Sequence, residues 1–284
     1  LVNNAQREHQ EFMATVEAVA LENGQVISAL PADGVAVYPA QDDYAALWQR
    51  LAGSRKSITF GFQEGDVQAH EIAWTAGAWQ FNLWTAKECL PCRLSIAGRH
   101  NVLNALAATA CALAAGMKLS QIVKGLQSFE AVKGRSKSWE WQIDGHQFTL
   151  VDDTYNANPD SVRAAIDVLA ELPAPRLLVL GDMGEVGQKG PEFHAEVGAY
   201  AKARGIEALL TLGDLCQHSS LAFEGAKHFS DMETLQQYVL VHIAEQKSLV
   251  IKGSRFMKME RLVEALRERT ESAQVQERES VHAA

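Results

Sequence analysis

Residues 148–172 read FTLVDDTYNANPDSVRAAIDVLAEL. The apolar start, 148–152, predicts a buried strand that ends on Asp152 and Asp153. Asn158 before Pro159 supplies an N-cap and a preset first turn, and Val162, Ile166, Leu169 and Leu172 then share one face of a helix over 159–172. The same alternation continues downstream: a strand at 177–180, a helix over 191–204 stopped by Gly205, a strand at 208–212. Ser230 to Glu233 has capping-box spacing and opens a helix to about Ala244, followed by a strand at 249–251 and a last helix over 257–266. Strands and helices in this order predict a mostly parallel sheet covered on both faces. Residues 134–284 are therefore expected to form a Rossmann-like C-terminal domain, with a loose, charged tail after about 269.

Upstream of Gly134 the pattern changes. Phe12, Val16, Val19, Ala20, Val26 and Leu30 give helical spacing over 11–30, a turn follows at 31–34, and 35–38 reads as a short buried strand before a helix over 43–51. Short alternating runs from 57 to 96, separated by Gly and charged turns, predict an antiparallel strand patch. Helices over 102–115 and 120–129 close this part, so residues 1–133 are expected to be an α/β domain carrying that patch. The run VLNALAATACALAAG, 102–116, is shorter than the roughly 20 residues that span a bilayer and is interrupted by Asn104, which makes it a buried helix.

A length of 284 residues suits about two domains. The net charge of −9 argues against a nucleic-acid partner, which needs a basic field. Cys89 and Cys92 form a C-x-x-C pair, but no second pair lies at zinc-site spacing, so two thiols in a strand of a reducing compartment is the favoured reading. With no signal-peptide pattern, the cytoplasm follows by default, and a monomer is the default oligomeric state. Leu1 is not an initiator, and 1–10 reads like a strand end running into a loop, so a longer parent protein is expected.

Four polar clusters fall at strand ends or helix starts: 99–104, 133–135, 152–159 and 252–255. Such places bind ligands in open α/β sheets. Each also has a plain alternative. Asn101 and Asn104 can cap a helix, Arg135 can be a solvated linker charge, and Asn158 can be a cap only. His9 and His100 can be satisfied structural histidines, and Trp139 and Trp141 packing residues. Order and spacing shift the balance. Gly98-x-His-Asn-x-x-Asn104, then Gly134-Arg135, then Asp152-Asp-x-Tyr-Asn-Ala-Asn-Pro159 resembles the ATP-dependent Mur ligase family. Gly181-Asp-Met-Gly-Glu-Val-Gly187, His194 and Lys252-Gly-Ser-Arg255 are similar to the branch that adds D-alanyl-D-alanine to UDP-N-acetylmuramoyl-tripeptide, and the resemblance covers nearly all of 1–268.

The resemblance implies a partial central ATPase-type α/β domain over 1–133 and the family's closing domain over 134–284. It implies ATP and Mg²⁺ as cofactors, and UDP-muramoyl-tripeptide and D-Ala-D-Ala as substrates in peptidoglycan precursor synthesis. His9 matches a metal-holding histidine, and Asn101 and Asn104 match adenine contacts. Arg135 and Asp153 match the catalytic pair that engages ATP when the C-terminal domain closes. Tyr155, Asn156 and Asn158 match the loop that meets ATP and the incoming amine, with Lys252, Ser254 and Arg255 as further substrate contacts. Two departures stand out. No G-x-x-x-x-G-K-[ST] loop occurs in these residues, so they are expected to be inactive alone. Asn23 stands where several members carry a carbamylated lysine, so either this subgroup arranges its metal differently, which is the expectation, or its activity is weakened. Two other readings stay open: a folylpolyglutamate- or cyanophycin-type amide ligase, against which the Tyr155–Asn158 loop argues, and a non-catalytic nucleotide-binding Rossmann-like module.

Overall fold

Thr15 opens the first helix of the computed structural model: its Oγ1 accepts the Ala18 N–H at 3.1 Å, and α1 runs Val16–Ser28. Residues 11–15 stay outside the helix, and Phe12, counted above on its apolar face, is 75% exposed. A side-chain cap fixes the start that periodicity alone placed too early. The structure describes every residue except Gln10, Ala76, Asp144, Ala283 and Ala284, and the backbone only for 273–282. It forms two units, Leu1–Ala131 and Val132–Ala284, each taken by itself.

In the first unit, β1 (Val35–Pro39) connects through α2 (Ala45–Ala52) to β2 (Lys56–Gly61). A helical crossover returns the chain in the same direction, so β1 and β2 pair parallel. β2 then meets the start of β3 (Val67–Thr75), again parallel, through Phe60 with Val67 and Gly61 with Gln68. Only β3, β4 (Ala78–Thr85) and β5 (Cys89–Leu94) are antiparallel neighbours. The patch expected from 57 onward is thus corrected to 67–94. Alternation reports which faces of a strand are covered; the connection sets its direction.

α3 (Arg99–Ala114) and α4 (Leu119–Gln127) cover one face of this sheet. Val102, Ala105, Leu106 and Ala110 of α3 join Phe60 and Leu83 in its core, and full burial of Leu106 stabilises by about 1.5–3 kcal/mol. The apolar 102–116 run is therefore a buried helix, and no described helix is long and apolar enough to cross a membrane. On β1, Val37 faces that core while Ala36 and Tyr38 face a second one, built on Ala20, Ile27 and Trp48 of α1 and α2. Cys89 is exposed and Cys92 buried, three positions apart on one strand, so they point to opposite faces. Burial pushes the Cys92 thiol up to about 11, which keeps it protonated and inert.

The second unit begins with a hairpin the sequence reading did not anticipate: β6 (Lys137–Ile143) runs antiparallel to β7 (His146–Asp153). Then come α5 (Pro159–Ala170), β8 (Arg176–Gly181), α6 (Gly190–Ala203), β9 (Ala208–Leu212), α7 (Cys216–Phe223), β10 (Lys227–Phe229), α8 (Met232–His242), β11 (Ser248–Lys252) and α9 (Glu260–His282). The sheet order is β10-β9-β8-β11-β7-β6, parallel except for β6. Leu249 and Ile251 of β11 point into a core with Leu235 and Leu262, whereas Val250 points into another with Ile166 and Val197. Helices thus cover both faces, as the Rossmann-like pattern predicts. α7 and β10 were not expected. Asp231, not Ser230, caps α8 by accepting the Thr234 N–H at 2.9 Å. α9 continues as helix through His282, where the sequence reading places a loose tail.

Candidate functional site

The parallel strands of the second unit bring β7, β11 and β8 side by side, so Asp153, Lys252 and Gly181 end at one edge of the sheet. Asp152 is fully buried there. Its Oδ2 accepts the Gly134 N–H at 2.9 Å, and its Oδ1 accepts from Thr154 N (3.2 Å) and Thr154 Oγ1 (2.6 Å). The Gly134 carbonyl in turn accepts the Tyr155 N–H at 3.0 Å. Its φ of +79° and a would-be Cβ at 3.2 Å from the Tyr155 nitrogen both call for glycine. This knot folds the 133–135 turn onto the end of β7. Arg135 then lies over the half-exposed Tyr155 ring, 4.1 Å from its centroid, and Arg255 approaches the same ring at 5.9 Å. Two motifs separated by 18 residues are one structure.

Asp153 points the other way from Asp152. Its Oδ1 accepts from Ser136 N (3.1 Å) and Ser136 Oγ (3.2 Å), and its Oδ2 from Lys252 Nζ (2.6 Å). A carboxylate offers about four lone-pair directions, so roughly one stays open for a hydroxyl donor. Lys252 also donates to the Asn156 carbonyl at 2.8 Å. Asn156 itself is exposed, with its Oδ1 accepting from Ala157 N. Asn158 caps α5, accepting the Ser161 N–H at 2.8 Å while its own N–H donates to Ser161 Oγ, so the cap reading holds. Ser254 is buried, accepting from Gly184 N and donating to the Ala157 carbonyl. Arg255 is 67% exposed and pairs with Glu260 at 3.1 Å.

A third cluster of this unit brings together Asp182, His194 and Cys216, of which only Asp182 and His194 belong to the motifs quoted for the resemblance. Its potential ligand atoms lie within 4.8 Å of one another and all three residues are buried. Yet the donors are committed elsewhere. His194 Nε2 accepts the Met183 N–H at 2.9 Å, and Nδ1, facing the Gly190 carbonyl at 2.7 Å, carries the proton. Burial pushes the imidazole down from its usual value, against opposing effects of Gly190 and Asp182, consistent with a neutral ring. Asp182 accepts from Cys216 N (2.7 Å) and Leu215 N (3.3 Å). Burial raises the Cys216 thiol, which donates to the Leu180 carbonyl. A protonated thiol and an occupied imidazole lone pair do not fit a metal. The cluster holds the β8–α6 loop and the start of α7.

In the first unit, Gly98 (φ +89°) precedes α3 without a side-chain cap. Asn101 Nδ2 donates to the Ala97 carbonyl at 2.7 Å, Asn104 Nδ2 to Asn101 Oδ1 at 3.0 Å, and Asn3 Nδ2 to Asn104 Oδ1 at 3.0 Å. The two asparagines assigned to adenine are thus coupled, with Asn104 exposed. His9 sits exposed on a left-handed residue (φ +53°) whose carbonyl accepts from Phe12 N and Met13 N. Asn23 donates to the Asn4 carbonyl at 3.2 Å and more weakly to Glu8 Oε1 at 3.4 Å, tying α1 to the segment that carries His9. Among the described residues no three His, Cys, Asp or Glu ligands gather around His9. Mg²⁺ prefers an oxygen octahedron, so this donor set does not by itself make a resident Mg²⁺ site.

The comparisons agree with this two-part architecture. A Mur ligase middle domain model matches residues 1–112, and a Mur ligase glutamate ligase domain model matches 139–255. The UDP-N-acetylmuramoyl-tripeptide–D-alanyl-D-alanine ligase of Escherichia coli (strain K12) is 38% identical over 272 residues, 94% of this chain and 60% of that protein. A crystal structure of MurF from Acinetobacter baumannii matches with a TM-score of 0.86 at 32% identity, covering 94% of this chain and 58% of the other. The Thermotoga maritima MurF ligase, solved in complex with ADP, shares the fold with a TM-score of 0.83 at 22% identity, over 95% of this chain and 61% of that one. The chain spans about 60% of the length of the curated relatives it matches from Escherichia coli and Haemophilus influenzae.

Proposed function

The chain belongs to the Mur ligase family, and from that premise we propose that it serves the ATP-dependent addition of D-alanyl-D-alanine to UDP-N-acetylmuramoyl-tripeptide, in the cytoplasm and as a monomer. The observation that carries the reading is the knot in which Asp152 and Gly134 bring Arg135 onto Tyr155 beside Asp153. The E. coli relative's substrates and the ADP of the Thermotoga fold relative support it.

In the proposed reaction an oxygen of the tripeptide carboxylate attacks the γ-phosphorus of ATP, forming an acyl phosphate and releasing ADP. The free amine of D-Ala-D-Ala then attacks the acyl carbon, phosphate leaves, and the nitrogen loses a proton. Phosphoryl transfer depends mostly on positioning and charge. In the second unit, Arg135 offers a guanidinium already oriented by Tyr155, and Asp153 keeps one acceptor direction for a nucleotide hydroxyl. Tyr155 and Asn156 are exposed on the loop proposed to meet ATP and the amine, together with Arg255. In the first unit, Asn101 and Asn104 are the proposed adenine contacts. Were Mg²⁺ to accompany the ATP phosphates and offset their charge, His9 would be its one proposed protein ligand.

The test is ADP release by the full-length gene product with the UDP-muramoyl-tripeptide, with and without D-Ala-D-Ala. Dipeptide-dependent release is expected. Release that follows glutamate or another amino acid instead would reassign the chain to a folylpolyglutamate- or cyanophycin-type ligase.

A further inference from the structure

Lys252 is the last residue of β11 and stands opposite Asp153 in the parallel ladder with β7. Its side chain is 3% exposed, which is unusual for lysine unless the ammonium is paired. The head group crosses to β7 and donates to Asp153 Oδ2 at 2.6 Å and to the Asn156 carbonyl at 2.8 Å. It therefore binds the strand-end carboxylate and the loop that follows with one charge. Resting on the functional reading above, we infer that Lys252 is a positioning residue for Asp153 and the 154–158 loop, and not a ligand of the incoming dipeptide.

The neighbouring contacts explain why Lys252 can act this way. Asp153 Oδ1 is fixed by Ser136, so Lys252 on Oδ2 removes the remaining rotation of the carboxylate. Its one open acceptor direction is then set before a nucleotide arrives, and preorganised groups lose less on binding. The next residues anchor the lysine. Gly253 approaches Gly181, where a Cβ would meet its Cα at 3.2 Å and Met259 Cγ at 2.7 Å. Ser254 bonds both Gly184 N and the Ala157 carbonyl. The 252–254 segment thus joins the ends of β7 and β8, and its lysine points inward to the protein's own acceptors.

The experiment compares K252M, K252R, D153N and the double variant K252M/D153N in the full-length gene product. Three readouts apply: ADP affinity by calorimetry, the KM for D-Ala-D-Ala against kcat, and amide hydrogen exchange over 154–158. K252M is expected to weaken ADP and lower kcat by about tenfold or more, as for a truncated buried charge pair, with the dipeptide KM within about twofold. Exchange over 154–158 should quicken, K252R should recover part of the ADP affinity, and the double variant should be no weaker than the poorer single one. A raised dipeptide KM with ADP affinity unchanged overturns the inference, as does additivity of K252M and D153N. Should K252M not fold, K252R and D153N carry the same comparison: slower loop exchange in K252R than in D153N supports positioning, and equal exchange overturns it. Absence of dipeptide-dependent ADP release from the unmodified protein would sink the functional reading while leaving the exchange result to judge the positioning.

Discussion

Asp182 accepts the Cys216 N–H at 2.7 Å, so the carboxylate that follows β8 closes the amino end of α7, 34 residues away. The fit is close: Gly213, at φ +106°, leaves room where a Cβ would stand 2.5 Å from the carboxylate carbon. Hydrogen bonds to a charged group are worth about 1.5–3 kcal/mol when one partner is removed. Asp182→Ala is therefore expected to lower the unfolding free energy of this unit by roughly 2–3 kcal/mol, with Asp182→Asn in between. Urea unfolding of the variants checks this, and an unchanged midpoint for the alanine variant would refute it.

His194 gives a pH dependence with a definite sign. Folded, the ring is buried and neutral, with its lone pair on the Met183 N–H, and its pKa lies below the ordinary 6.5. The unfolded chain takes up a proton near pH 6.5 that the folded chain refuses, so this contribution is complete above 6.5 and is lost as pH falls toward the lowered folded value. The slope attributable to one such group is at most about 1.4 kcal/mol per pH unit. Urea midpoints measured over roughly two pH units around the ordinary histidine value, from about 7.5 to about 5.5, should fall less in His194→Gln than in the unmodified protein. Parallel curves would show that His194 does not titrate on unfolding.

Much of the second unit was legible because each βα unit carries its own signals. Asn158 and Pro159 marked the start of α5, and Gly205 the stop after α6. What escaped was decided by partners far away in sequence. β6 exists because Trp139 and Trp141 stack on each other, 5.4 Å apart, and join the core under β7, a burial that local alternation of half-exposed residues does not announce. α7 has little amphipathic pattern of its own and is closed by Asp182 instead of a local cap. In the site, the motifs at 134–135 and 152–158 were visible as separate clusters, but the contacts of Asp152 and Tyr155 that join them were not. Lys252 and Ser254 read as polar strand-end residues facing a ligand, and their burial could not be seen without β7 and β8 beside them.

Arg135 and Tyr155 are expected to act as a pair. The guanidinium lies 4.1 Å from the ring centroid at an exposed position, where such contacts are worth about 0.5–1 kcal/mol. Tyr155→Phe keeps the ring and should bind ADP within about twofold of the unmodified protein. Tyr155→Ala releases Arg135 and should weaken ADP by several-fold, in the same direction as Arg135→Ala. A double-mutant cycle should return a coupling of roughly 0.5–1 kcal/mol. Strict additivity would mean that Tyr155 does not hold Arg135 for the nucleotide.

Asn104 separates support of the fold from contact with a nucleotide. Its amide donates to Asn101 Oδ1 and its oxygen accepts from Asn3 Nδ2, both at 3.0 Å and both at the exposed start of α3. Water replaces such bonds readily, so Asn104→Ala should change stability by no more than about 1 kcal/mol. If Asn101 and Asn104 form the adenine contact, the same variant loses an amide that reads the base and takes from Asn101 Oδ1 its Asn104 donor, while Asn101 Nδ2 keeps its bond to the Ala97 carbonyl. ADP affinity in the full-length gene product should then fall about tenfold, while inorganic phosphate, which has no base to read, should compete as before. Stability and ADP affinity falling together would assign Asn104 to the fold. ADP affinity unchanged in a stable Asn104→Ala protein would remove it from the proposed adenine site.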